Sequence, residues 1–266
     1  NTWRNFTWMS GLTYSMNKNK IESLADNVIN PITGQLFSIP SLDMGGYADL
    51  RFILREGGSM GDLYSRTDLR RDANGAIYMD ESNNVYTQKI DNPDSYIKLG
   101  SVLPKGNLAW RNNFMWKNFH VGFMISARLG GVVFSRTQAI LDKFGVSEAS
   151  ADARDNGFVL INGNDRVNPE NWYTTVGSTA VPQYYTYSAT NVRLQEASIG
   201  YTIPRKWLAN VCDIKVSLIG RNLWIIYNKA PFDPEAVAST DNFYQGIDNF
   251  MMPSLRNVGF SLNFKF

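Results

Sequence analysis

One histidine and one cysteine limit the chemistry open to this chain of 266 residues. Nucleophilic catalysis of the Ser/His/Asp kind would have to run through His120, and no G-x-S-x-G sequence accompanies it. His120 falls on the polar side of an alternating stretch beside a short turn, so it reads as a polar wall residue. A lone histidine also excludes a histidine-rich metal site. Cys212 by itself makes neither a disulfide framework nor a cysteine metal site, and it reads as an unpaired small residue. Asp233-Pro234-Glu235 sets two carboxylates close together. Glycoside hydrolysis needs two carboxyl groups flanking the scissile bond, whereas proline between these two makes a rigid loop corner. Asn162-Gly163-Asn164-Asp165 offers oxygen ligands without the spaced acids and bidentate glutamate of an EF-hand. It reads as a turn first, with an incidental calcium site left open; Asn74-Gly75 and Asp155-Asn156-Gly157 are turns likewise. The remaining candidates are aromatic: Trp172, Tyr173, Tyr184, Tyr185 and Tyr187. Such platforms stack on sugar rings and pack on peptide side chains or a partner protein. Equally, these five residues could fold their own loop onto itself or onto a neighbouring rim. No catalytic residue and no cofactor is expected.

The elements that would position such groups are strands, and the clearest is the last. Val258, Phe260, Leu262, Phe264 and Phe266 occupy every second position, with Asn257, Gly259, Ser261, Asn263 and Lys265 between them. A period of two puts the apolar set on one face of a strand and the polar set on the other. Soluble chains usually end in fraying polar tails. An outer-membrane barrel ends on such a strand, apolar toward lipid and polar toward the lumen. Composition agrees with strands rather than membrane helices. Tyr 13 and Trp 7 are plentiful and no run approaches the roughly 18 apolar residues of a spanning helix. The mean hydropathy of −0.27 suits barrel strands of which half the residues are polar. Lys+Arg 26 against Asp+Glu 24 is near balance and gives no electrostatic argument for nucleic acid. The chain starts at Asn1 without a methionine, and it reads as a fragment or a processed piece.

Alternation recurs along the chain. About eight strands are expected: Phe6 to Asn17, Tyr47 to Arg55, Met60 to Arg66, Trp110 to Trp116, Phe119 to Leu129, Asn191 to Ile203, Ile214 to Ile226, and the terminal strand. In Tyr47 to Arg55 the charges Asp49, Arg51 and Arg55 share one side, which points to a wet lumen. If the last strand runs toward the periplasm, strand parity sorts the connections. Residues 18–46, 68–107, 135–190 and 227–253 fall outside; 57–59, 117–118 and 204–213 fall inside. Long outside loops and short inside turns are the habit of outer-membrane barrels. Within 135–190 only Gln138 to Phe144 suggests a helix.

The residues also carry a resemblance. Asn191-Val192-Arg193-Leu194-Gln195-Glu196-Ala197-Ser198-Ile199-Gly200-Tyr201-Thr202-Ile203-Pro204, Gly220-Arg221-Asn222-Leu223-Trp224 and Phe232-Asp233-Pro234-Glu235 stand in order before Gly246, Pro253 and the closing strand. Upstream come Lys98-Leu99-Gly100, Trp116-Lys117-Asn118-Phe119, Arg128-Leu129-Gly130-Gly131-Val132, Gly145-Val146-Ser147 and Ala153-Arg154-Asp155. These blocks resemble the C-terminal part of SusC/RagA-type TonB-linked outer-membrane transporters. The resemblance implies an all-β, antiparallel transmembrane barrel of 22 strands, of which residues 1–266 would form the C-terminal portion. It implies import of oligosaccharides or peptides with a SusD-like surface lipoprotein as lid. It also implies a TonB complex engaged through a plug and N-terminal regions outside this chain. Asp233, Pro234 and Glu235 are then a family motif loop, and Phe260, Leu262, Phe264 and Phe266 the signal read by the barrel-assembly machinery. A passive porin, a membrane-embedded hydrolase barrel and a soluble β-sandwich adhesin are the rival readings.

Overall fold

The structure is a computed structural model that describes all residues except 1, 4, 178–180, 210 and 240–243. Parts of three connections read from the sequence therefore lie outside the described residues. Six long strands form one antiparallel sheet: β1 (Phe6–Ser15), β2 (Gly106–Trp116), β3 (Phe119–Leu129), β4 (Asn191–Ile203), β5 (Asp213–Asn228) and β6 (Asn257–Lys265). They pair in chain order, and the two-residue piece Thr2–Trp3 lies beyond β1 as the seventh member. The sheet is open, with its two ends unjoined.

Register turns the alternation into two faces. Trp8, Phe114, Val121, Ile199 and Leu218 stand opposite one another across five strands, and Leu218 pairs with Phe260 of the sixth. One face is therefore a continuous apolar band, left exposed: Leu12 is 68% and Phe260 is 77% accessible. The other face carries Thr13, Asn113, Ser126, Glu196, Arg221 and Asn263. Two polar residues interrupt the band, and each is covered by an indole. Trp8 Nε1 donates to Asn112 Oδ1 at 3.0 Å, and Trp110 Nε1 donates to Ser10 Oγ at 3.0 Å.

The bulge in β5 has a local cause. Asn222 adopts a φ of 51°, a left-handed conformation that asparagine tolerates better than most residues. The ladder slips there against Gln195, and Leu223 folds back over Gly220. A Cβ on Gly220 would lie 2.7 Å from Leu223 Cδ2, so any larger residue there would push the leucine side chain aside.

Two expected strands are elsewhere. Leu50–Arg55 and Asp62–Ser65 belong to a separate four-stranded sheet with Ser41–Tyr47 and Ile97–Ser101. Leu50 and Phe52 are 0% and 1% exposed, the opposite of the outward residues on β1 to β6. The charges of this segment are paired within the connection: Arg51 with Asp43 at 2.9 Å, and Arg66 with Asp49 at 2.7 Å. Residues 57–59 are thus a turn of this outer body, and 16–105 form one connection between β1 and β2. Because two strands leave the wall together, the parity argument survives. The connections 16–105, 130–190 and 229–256 share one end of the sheet, and 117–118 and 204–212 share the other.

The three long connections pack around one main core, with a second, smaller cluster at Val133, Ala189 and Ala230. Phe52, Leu63, Leu69, Val85 and Val102 of the first pack with Phe134, Ile161, Trp172, Val176 and Tyr185 of the second and Ile247 of the third. The second connection holds three helices where the sequence suggests one: α1 (Arg136–Lys143), α2 (Glu148–Asn156) and α3 (Pro169–Val176). Their start signals are present in the sequence. Ser135, Ser147 and Asn168 each cap a first turn by accepting from a backbone N–H. Short helices with weak amphipathicity are held by the shared core more than by propensity. Several side chains interlock the connections, Asn162, Asn171 and Gln183 among them. Asn162 accepts from Ile77 N at 2.9 Å, and Asn171 accepts from Val85 N at 2.8 Å.

Candidate functional site

Charge and polarity gather where the polar face of the wall meets the outer body. Arg193, near the start of β4, is buried and turned to that face, beside Asp233 of the third connection. The guanidinium holds both carboxylate oxygens, Nη2 to Oδ1 and Nη1 to Oδ2 at 3.2 Å, while its Nε donates to Asn191 Oδ1 at 2.8 Å. Asp233 also accepts from the backbone N–H of Glu235 and of Ser254, each at 3.0 Å. Burial by itself would push the Asp233 carboxyl up. The hydrogen bonds from Arg193 and Ser254 outweigh it and hold the group well below the usual carboxylate range. One aspartate therefore ties the third connection to β4 at its beginning and to the approach of β6 at its end.

Glu235 adds a second carboxylate to this clamp, 3.6 Å from Arg193 Nε, and borders a chamber of about 350 Å³ on the polar face. Thr13, Ser15, Asn107, Ser126, Arg128 and Gln195 line it together with Leu108, Ala109 and Ala127. Ser126 Oγ donates to Gln195 at 3.3 Å, and Arg128 reaches Val102 O at 2.8 Å. Lower on the same face Glu196 and Arg221 lie 3.7 Å apart. The chamber offers hydrogen-bond donors and acceptors for a polar solute. His120 lies far along β3 from Ser126 and shares a 2.9 Å hydrogen bond with Thr202. Among the described residues no group of three or more His, Cys, Asp or Glu could hold a metal ion.

The other sequence candidates are placed as follows. Phe260, Leu262 and Phe264 face outward on β6, and Phe266 follows them, all exposed. Trp172 and Tyr185 are core residues, and Trp172 meets Tyr184 edge-on with ring centres 5.4 Å apart. Tyr187 packs edge-on against Phe232 at 5.6 Å, and the Tyr173 hydroxyl donates to Ala149 O at 3.0 Å. The five aromatics thus hold the outer body together; Tyr184, 38% exposed, keeps the most open ring. In Asn162-Gly163-Asn164-Asp165 the Asn162 amide is taken up by Ile77 and Asp165, as a turn that docks on the first connection. Cys212 is buried and unpaired. Sequence reading quoted Arg193 and Asp233 in separate blocks and missed their pairing. Opposite charges in two recognisable blocks were the available signal.

An exposed apolar band on one face, a polar face opposite, and connections sorted by length define a segment of an outer-membrane β-barrel wall. The comparisons with known proteins agree. The TonB-dependent receptor P3 of Formosa agariphila is 26% identical over 292 residues, covering 99% of this chain and 27% of its own length. The structure of the RagAB peptide transporter superposes with a TM-score of 0.61 at 14% identity, over 100% of this chain and 28% of that one. The RagAB peptide importer in its open-open state gives 0.59 at 15%, covering 100% and 27%. No family model matches. This chain therefore resembles a segment of a SusC/RagA-type TonB-dependent transporter, and it spans about a quarter of the length of these relatives.

Proposed function

We propose that this chain forms the C-terminal part of the barrel of an outer-membrane, TonB-dependent importer whose mechanism is passage, not bond chemistry. The observation that carries the reading is the two-faced sheet in register, with every long connection at one end. In this reading the apolar face meets lipid, the short turns and the C-terminus lie in the periplasm, and the outer body faces the medium. A SusD-like lipoprotein would close over that body and release oligosaccharides or peptides to the lumen. The polar chamber under Glu235 and the clamp of Arg193 on Asp233 would then line the upper part of the path. The exposed ring of Tyr184 is available for the lid or the solute, whereas Trp172 and Tyr185 would act through packing.

The name RagAB peptide transporter favours peptides as one solute class, and the loop aromatics suit sugars as well. Growth of a strain lacking the full-length protein, on peptides and on single glycans, separates the two. Loss of growth on one class with recovery on re-expression is expected. Unimpaired growth on both would overturn the import reading. A passive porin would instead retain uptake without an energised plug.

A further inference from the structure

The apolar face of the wall is not smooth. On β3 to β6 it carries a groove of about 420 Å³, floored by Ala197 and Gly220 and bordered by Phe123, Ile199, Leu223 and Val258. Register explains the depression. Phe123, Ala197, Gly220 and Val258 stand opposite one another in a single row across four strands. Two small residues are therefore adjacent, while the next row, Val121, Ile199, Leu218 and Phe260, is large throughout.

The side chains at the rim are held by other contacts. The Phe123 ring packs on β2, edge-on to Trp110 at 5.8 Å and stacked on Phe114 at 6.2 Å. Leu223 follows the bulge at Asn222 and folds back over Gly220, closing the end of the groove nearer the outer body. Ser198 is the one lining residue with a polar side chain, and its hydroxyl lies on the opposite face, near Gly122 and Asn113. The groove thus offers hydrocarbon surface and no polar side chain.

Its place in the wall indicates what fills it. The groove is continuous with the exposed apolar band, and aromatic residues stand at both ends of the same strands. Phe119 and Tyr201 lie toward the short turns, and Trp224 and Tyr227 toward the outer body. Belts of tyrosine and tryptophan mark the two membrane interfaces, so the groove falls at the depth of the acyl chains. A void beside the wall would forfeit dispersion contacts that a fitted hydrocarbon chain recovers. With Leu223 across the outer end, the open approach is from the periplasmic side.

We propose that this groove holds one acyl chain of a phospholipid from the periplasmic leaflet. A single lipid then stays on β3 to β6 while the lipid around it exchanges. The proposal rests on reading this face as the lipid-facing one and adds a fixed site to it.

The test uses the purified full-length protein reconstituted with a phosphatidylethanolamine that carries a diazirine on one acyl chain. The sample is irradiated either in the bilayer or after extraction and washing in detergent, and adducts are located by peptide mass spectrometry. In the bilayer, outward residues of all six strands should be labelled. After washing, labelling should persist at the groove and fall at least fivefold elsewhere on the face. Ala197→Phe, which fills the floor from the lipid side, should lower the retained labelling at least fivefold. If that variant fails to insert, the washed wild-type pattern decides alone. Groove labelling that washes away with the rest would overturn the proposal and leave the lipid-facing reading intact. No labelling of the face in the bilayer would overturn both. A groove left unlabelled among labelled neighbours would mean that a second copy or another protein covers it, and would overturn the proposal. So would Ala197→Phe keeping the wild-type pattern.

Discussion

At the scale of single residues, the account rests most on Arg193 and Asp233. Their pair is buried, bidentate and supported by Asn191 and Ser254. Removing one partner leaves an uncompensated buried charge, so Asp233→Ala or Arg193→Ala should each destabilise the full-length protein by about 3–5 kcal/mol. The double substitution should cost less than the sum, and denaturant unfolding of all four proteins in detergent measures the coupling. Proline between Asp233 and Glu235 stiffens the corner that brings both carboxylates to Arg193. The pH dependence follows from the depressed Asp233 carboxyl. Its stabilising contribution is fully present above the unfolded aspartate value of about 3.9 and is lost as pH falls below it toward the native value. The melting temperature of the wild-type protein should therefore hold between pH 7 and 5 and fall below about 4. The Arg193→Ala, Asp233→Ala double variant should show a shallower fall. An equally steep fall in the double variant would remove Asp233 from the account.

At the scale of elements, β6 decides between lipid and solvent. Its apolar and polar residues are offset by one position, so a charge should be tolerated on one face and not on the other. Leu262→Arg should lower stability by about 2–4 kcal/mol near the bilayer midplane, and Ser261→Arg by less than about 1 kcal/mol. Heat-modifiability of the folded band on gels reports both. Phe266→Ala, or deletion of Phe266, should lower outer-membrane insertion in a fractionation assay; unchanged surface levels would count against an assembly role. The alternation of β1 and of β3 to β6 was legible because each strand keeps one apolar and one polar face. The segment Leu50–Arg55 shows the same alternation for another reason. There one face packs into the core of the outer body and the other pairs its charges with neighbours. Period two records a two-sided strand and does not say what lies on either side. The discriminating datum is burial, with Leu50 at 0% and Leu12 at 68% exposed. Of the helices α1 was legible at Gln138 to Phe144, while α2 and α3 were not, since each is short and held by contacts distant in sequence. Their caps at Ser135, Ser147 and Asn168 were readable, but caps without a sustained period of 3.6 do not identify helices.

At the scale of the molecule, the chain is two bodies of opposite construction. The wall exposes an apolar band, and the outer body buries one main core drawn from three connections, with a smaller cluster beside it. A core shared in this way makes the connections a single cooperative unit. Phe52→Ala should cost about 3–5 kcal/mol within that unit. Hydrogen exchange should rise together in 130–190 and in 16–105, with the amides of β3 and β4 unaffected. Fast exchange confined to the strand of Phe52 would contradict a shared core. The candidate chamber was only partly legible. Asp233 and Glu235 were visible as a motif, but Ser126, Arg128 and Gln195 reach it through pairing between distant strands. The aromatic group was visible as a cluster, and its inward orientation depends on the fold of three connections together. The central claim is that this wall serves an energised importer. Its most direct test is the initial rate of solute uptake by cells making the full-length protein, compared with the same cells lacking functional TonB. The account predicts that uptake in the TonB-deficient cells falls to the level of cells without the protein. Uptake that persists unchanged without TonB would contradict it.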